Sequence, residues 1–213
     1  VQARYGADVV TGSVLPRYTP GVPGWAVRGR FFERPRHATG TVVDFAATNN
    51  TLVAMRVFDR HEAPFDPRFG LTGGGDTHFF MRARLAGARI VFANEAVVED
   101  RVPPERACAR WILQRAYREG NAIVWCERDL LSGRRWAVPR LVKSVGRIVQ
   151  GVVLLAPSGF AGRAGIVRSC ARIMRGAGAL SATLGVRYHE YRRRAAASSE
   201  WWNEQDAPST ESA

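Results

Sequence analysis

Residues 73–76 read Gly-Gly-Gly-Asp, directly before a stretch with helical periodicity. A carboxylate beside bare glycines can approach a substrate hydroxyl and take its proton as the oxygen attacks, so Asp76 is the candidate base of this chain. The competing reading makes Asp76 a simple helix cap. Asp66, Glu99, Asp100 and Trp111 fall just after expected strands or at helix starts, where α/β proteins build sites. Arg110-Trp111 is a second constellation: a guanidinium binds phosphate bidentately and an indole face stacks on a ring. Its alternative is a core tryptophan beside a surface arginine. Asn49-Asn50 reads either as a tight connection or as the polar floor of a substrate site.

Other chemistries lack their residues. His37, His61, His78 and His189 are scattered, and His78 lies two positions from Asp76, on a different helix face. HExxH, Walker, GxSxG and GxGxxG patterns are absent, and a glycine triplet alone is a weak phosphate loop.

The elements that must position these residues follow from patterning. Val1 to Gly6 reads as a helix end, and Ala7 to Leu15 as a β-branched strand that Pro16 ends. Residues 19–24 are turn chemistry, and Trp25 to Arg34 is a short helix. Thr41 to Met55 gives two extended segments around Asn49-Asn50. Asp76 or Thr77 caps a helix with Phe79, Phe80, Ala83 and Leu85 on its apolar face and Gly87 after its end. Arg89 to Phe92 and Ala96 to Val98 are two short strands. Pro103-Pro104 opens a helix over Glu105 to Glu119 that stops at Gly120, and a second helix covers Asn121 to Leu131.

Beyond Arg134 the composition shifts. Arginines edge two apolar runs, Ile148 to Ala161 and Ala177 to Val186, each shorter than the ~20 residues of a spanning helix. An amphipathic appendage on an anionic membrane face and a basic helical pair packed on the domain both fit. Ala195 to Ala213 is a small, polar, acidic tail, expected to be disordered.

The bulk numbers agree with a folded domain. The 213 residues are 46% hydrophobic and 10% aromatic. The net charge of +12 comes almost entirely from arginine, since Lys143 is the one lysine. Such a surface serves phosphate, nucleic acid or anionic lipid, or reflects a biased coding composition. Cys108, Cys126 and Cys170 are far apart with no CxxC, which fits a reducing, cytoplasmic compartment. The sequence opens on Val1 in mid-pattern, as a piece whose natural beginning is missing would.

The run FDPRFGLTGGGDTHFFMRARLAGARIVFANEAVV, followed by VPPERACARWILQRAYREGN, resembles the second half of family 2 glycosyltransferases. The upstream GADVVTGSVLPRY and ATNNTLV fit the same family in the same order, so the resemblance covers about residues 1–121. It implies an α/β fold: an incomplete GT-A, Rossmann-like mixed sheet over residues 1–132 that lacks its N-terminal nucleotide-binding strands. A basic helical appendage over 133–194 and the tail over 195–213 follow. The family's loop usually reads Gly-Gly-Glu-Asp, with the Asp as base. Asp76 occupies that position and Gly75 stands where Glu is usual. Arg110 and Trp111 match the end of the Gln-x-x-Arg-Trp motif of processive members, but Ala107 holds the Gln position, which implies transfer of a single sugar. Glu99 stands where many members have His.

The resemblance therefore implies inverting transfer from a nucleotide-sugar donor to a glycan or lipid-linked hydroxyl. Asp76 would be catalytic, and Asn49, Asn50, Gly73, Gly74, Arg110, Trp111 and Arg115 would bind substrate. A divalent cation, Mg or Mn, is expected for the complete enzyme, with its usual Asp-x-Asp ligands upstream of this sequence. The alternatives are a non-catalytic remnant, a module for an anionic membrane surface, and a nucleic-acid-binding module. The last is not expected, because the later arginines edge apolar runs.

Overall fold

The computed structural model describes residues 1–59, 63–70, 72–131 and 136–189. The tail expected over 195–213, with His61, Arg134 and Arg135, lies outside them.

The elements in order are α1 (Gln2–Tyr5), β1 (Val9–Tyr18), α2 (Gly24–Arg28), β2 (Thr51–Val53), α3 (Met55–Phe58), α4 (Gly75–Leu85), β3 (Ile90–Val102), α5 (Ala109–Leu130), α6 (Ala137–Ser158) and α7 (Gly162–Thr183). The chain is α/β with a mixed three-stranded sheet of order β2-β1-β3; β1 runs antiparallel to β2 and parallel to β3. The β-branched start of β1 is buried on both faces, as a central parallel strand requires. Val9 and Ile90 pack with Val57, Phe79, Phe80 and Ala83, so α3 and α4 cover one face. Val10, Val91 and Ala93 pack with Ala7 on the other. A further core gathers Ala26, Phe32, Val102, Ala107, Ile112 and Val167, where α2, the end of β3, α5 and α7 meet.

Several boundaries differ from the expected ones. Pro16 does not end β1, which continues to Tyr18 opposite Val102. The helix from Trp25 is short, ending at Arg28. Asn49-Asn50 belong to a 3-10 turn (Thr48–Asn50) that leads into β2. The two short strands after Gly87 form one long β3 with an irregularity: Gly12 pairs with Ala93, but Ser13 pairs with Val97. The Asn50 amide closes that bulge by donating to the carbonyls of Ser13 and Ala96, both at 2.9 Å. A Cβ at Gly12 would lie 2.2 Å from the Ala96 carbonyl, so the bulge also requires that glycine. At the far end of α4, Gly87 adopts φ +90°, as the sequence predicts.

The helical half is continuous with the sheet half. Helix α5 runs through Gly120 without stopping, because α7 packs across that position: a Cβ there would sit 2.1 Å from the Arg175 carbonyl. Helix α7 lies between α5 and α6, and Arg168 on α7 donates to the Gly29 carbonyl. Starting at Ala137, α6 is long and apolar enough by length and composition to cross a membrane. The expectation from run lengths fell short because Val138, Leu141, Val142 and Val145 join the apolar run from Ile148.

Two glycines in helix interiors separate close packing from propensity. Gly120→Ala is expected to destabilise by roughly 1–3 kcal/mol through overpacking. Gly146→Ala, with nothing within 4 Å of its Cβ, is expected to stabilise by about 0.5–1 kcal/mol. Chemical denaturation of the two variants checks this; effects of the same sign would contradict the α5–α7 packing.

Candidate functional site

The glycine triplet builds a helix start. Gly73 and Gly74 have φ of +75° and +93°, a region that costs other residues. Gly74, rather than Asp76 or Thr77, is the cap, and its carbonyl accepts from the His78 N–H at 2.8 Å. A Cβ at Gly74 would meet Ala122 Cβ at 3.0 Å, so the glycine lets α4 begin against α5. Asp76 therefore stands inside the first turn, half-buried, where the helix dipole favours a carboxylate. Its Oδ1 accepts from the Thr77 N–H at 2.7 Å, and among the described residues its Oδ2 has no donor.

Arg34 links Asp76 to the other candidates. Its Nη1 donates to Asn49 Oδ1 at 3.3 Å. Burial holds its pKa below the usual arginine range, and Arg115 lowers it further, while Asp100 and Asp76 raise it. Arg115 is likewise held down by burial, lies over the rings of Phe32 and Trp111 at 5.8 and 5.5 Å, and donates to Glu119 at 2.7 Å. Trp111 stacks on Phe32 at 5.6 Å, so one face of the indole is already covered. Asp76, Arg34, Asn49, Arg115 and Trp111 thus share one neighbourhood. Asn50 is spent on the β3 bulge, and Arg110 is exposed on α5 and makes no hydrogen bond to this group among the described residues. Nothing in the sequence distinguished Arg34, which lies in an irregular segment with several arginines.

Beneath the helix start lies a charged cluster that sequence spacing could not reveal. His78 is 2% exposed, and its Nε2 is 2.8 Å from Asp129 Oδ2 at the far end of α5. Phe69 stacks on the imidazole at 4.5 Å. The Arg68 guanidinium bridges Asp66 at 2.6 Å and Asp129 at 2.9 Å. Asp66 also caps the 3-10 turn Pro67–Phe69 by accepting from the Arg68 N–H at 2.8 Å. The side-chain bond to Arg68 holds the Asp66 carboxyl at about 2, and the same bond raises the Arg68 pKa. Cys126 is fully buried; burial first, then Asp76 and Asp129, push its thiol up to about 12 and leave it protonated and inert.

Asp66, His78 and Asp129 have the donor spacing of a metal site. They do not fit the hard divalent cation expected of the reaction. Arg68 already bridges both carboxylates, and a buried imidazole is a poor ligand for Mg, which takes oxygen.

In sequence, the chain is similar to the succinoglycan biosynthesis protein ExoM of Rhizobium meliloti (strain 1021), with 31% identity over 185 residues. The match covers 85% of this chain and 58% of that protein, so the chain spans less than two thirds of this relative's length. No family model and no solved structure matches.

The lowered Asp66 pKa fixes a sign. A carboxyl depressed in the fold adds stability above its unfolded value of 3.8, and that contribution is lost as pH falls toward about 2. Wild type is expected to be more stable than Asp66→Asn above pH 4, with the gap closing between pH 4 and 2. Melting temperatures across that range check it; a constant gap would contradict the Arg68 pairing.

Proposed function

We propose that this chain is the acceptor-side half of an inverting family 2 glycosyltransferase that transfers a single sugar in the cytoplasm. The similarity to a protein of succinoglycan biosynthesis supports a carbohydrate-building role. The open edge of the sheet supports a larger GT-A domain. Among the described residues β2 pairs with β1 alone, and Leu52 and Met55 are 57% and 70% exposed beside it. An exposed apolar edge of this kind is completed by further strands.

One observation carries the assignment: a half-buried carboxylate at the start of α4 with an oxygen that has no donor among the described residues. In the proposed reaction the acceptor hydroxyl donates its proton to Asp76 as its oxygen bonds to the anomeric carbon. The bond from that carbon to the diphosphate oxygen breaks, and the nucleoside diphosphate leaves with the electron pair. Arg34 and Arg115 oppose the charge that builds on the leaving group. Asn49 orients Arg34, while Trp111 and Phe32 hold Arg115, so the tryptophan acts by positioning. Gly73 and Gly74 keep side chains away from the acceptor's approach. Arg110, on the neighbouring helix position, is free to meet an extended acceptor. The divalent cation expected with the donor has no fitting ligands among the described residues.

A second reading, a non-catalytic remnant, draws on Gly75. A Cβ there would have no neighbour closer than Phe69 Cβ at 3.8 Å, so the glutamate usual at this position is absent without a steric reason.

The test is Asp76→Asn in a protein that carries the length of the relative. General-base loss is expected to cut kcat by about 10²–10⁴ while nucleotide-sugar affinity stays unchanged. Near-normal turnover in the variant would remove Asp76 from the mechanism, and an inactive parent protein would favour the remnant.

A further inference from the structure

We propose that α6 docks in the plane of an anionic lipid bilayer through its valine face, and that the α6–α7 hairpin is a preformed membrane-binding element. This inference rests on the hairpin alone and is independent of the transferase reading.

The first observation is an apolar strip with nothing over it. Val138, Val142, Val145, Val149, Val152 and Val153 are between 44% and 67% exposed. At 3.6 residues per turn they fall within an arc of about 100°. The strip runs the length of α6 and leads to Phe160, which is 98% exposed at the turn into α7. Six exposed valines and an exposed phenylalanine in one line exceed the scattered apolar residues of an ordinary soluble surface.

The second observation is charge. Residues 130–189 contain no aspartate or glutamate and ten arginine or lysine residues. An acid-free segment offers nothing to repel an anionic headgroup, and each basic residue near such a surface adds roughly fivefold to partitioning. Several of these cations are engaged inside the fold: Arg140 pairs with Glu127, and Arg175 with Glu119. Lys143 on α6 and Arg163 beside the turn are exposed. Nucleic-acid surfaces interleave arginine with stacked aromatics, whereas this strip is aliphatic.

The third observation decides the pose. The opposite face of α6 is closed by Ser144, Gly151 and Ser158, buried toward α7. A Cβ at Gly151 would lie 2.9 Å from the Ser169 carbonyl, and one at Gly176 would lie 2.7 Å from the Ser144 carbonyl, so the two backbones touch. A spanning pose would strip α6 from α7, or carry Arg140, Lys143 and Arg147 into hydrocarbon. An in-plane pose needs only the valine strip to enter the headgroup boundary by about 5–10 Å.

The experiment is flotation of the full chain with vesicles of phosphatidylcholine alone or with one third phosphatidylglycerol. The full chain is expected to float with the anionic vesicles and at least about tenfold less with the neutral ones. The double variant Val142→Asp/Val149→Asp is expected to lose at least about tenfold in binding with an unchanged melting temperature, since both positions are exposed. Lys143→Glu should weaken binding severalfold, and an alkaline carbonate wash should release the bound protein. Equal flotation of the double variant, or binding to an oligonucleotide but not to vesicles, would overturn the proposal. Retention through the carbonate wash would overturn the in-plane pose in favour of a spanning one.

Discussion

The Arg68 guanidinium is the interaction on which the arrangement depends. It bridges Asp66, in the turn before the glycine loop, and Asp129, near the C-terminal end of α5. Asp129 in turn accepts the buried His78 of α4 at 2.8 Å. Loop, helix start and long helix are thereby joined, together with the Phe69–His78 stack and the close approach of Gly74 to Ala122. Asp76 inherits its direction from that clamp, two positions from His78 and so on another face of the same helix. Neighbouring residues of one turn are used differently: His78 anchors the helix through Asp129, while Asp76 Oδ1 accepts from the Thr77 N–H. Arg68 is itself 59% exposed, so the buried part of the cluster is His78, whose Nε2 would lose its partner if Asp129 were removed.

Positive charge is handled in three different ways along the chain. Near Asp76, Arg34 and Arg115 are held close together, and burial lowers the pKa of both. Arg175 of α7 and Arg140 of α6 pair with Glu119 and Glu127 of α5 and tie the helices together. In the α6–α7 hairpin the remaining cations have no acid of their own segment to answer them. A net charge that could have reflected composition alone is thus partitioned by the fold into a site, a set of struts and a surface.

Much of this was legible in the residues, and the failures have physical causes. The α/β class, the first strand, the helix after Asp76 and its stop at Gly87 follow from β-branched runs, apolar periodicity and turn glycines. The cap was misassigned because a left-handed Gly74 does with backbone what a side-chain cap does elsewhere. Pro16 and Gly120 misled for the reason that tertiary packing overrides local propensity: one is carried inside a parallel pair, the other is covered by a crossing helix. Asn50 was readable as a turn residue but not as the closure of a bulge, since its partners lie 37 and 46 positions away. The His78–Asp129 contact, across 51 positions, has no sequence signature at all. Neither does the placing of Arg34, one arginine in a chain full of them.

The proposed reaction is a single displacement assisted by one carboxylate. The anomeric configuration of the product reports on it directly. Proton NMR of the glycoside made by the relative-length protein from the nucleotide sugar that it turns over gives that configuration, because the acetal product does not mutarotate. Inversion relative to the donor is expected. A product that retains the donor's configuration would contradict it, because retention requires a second displacement or an ion-pair route in which a lone base at Asp76 has no part.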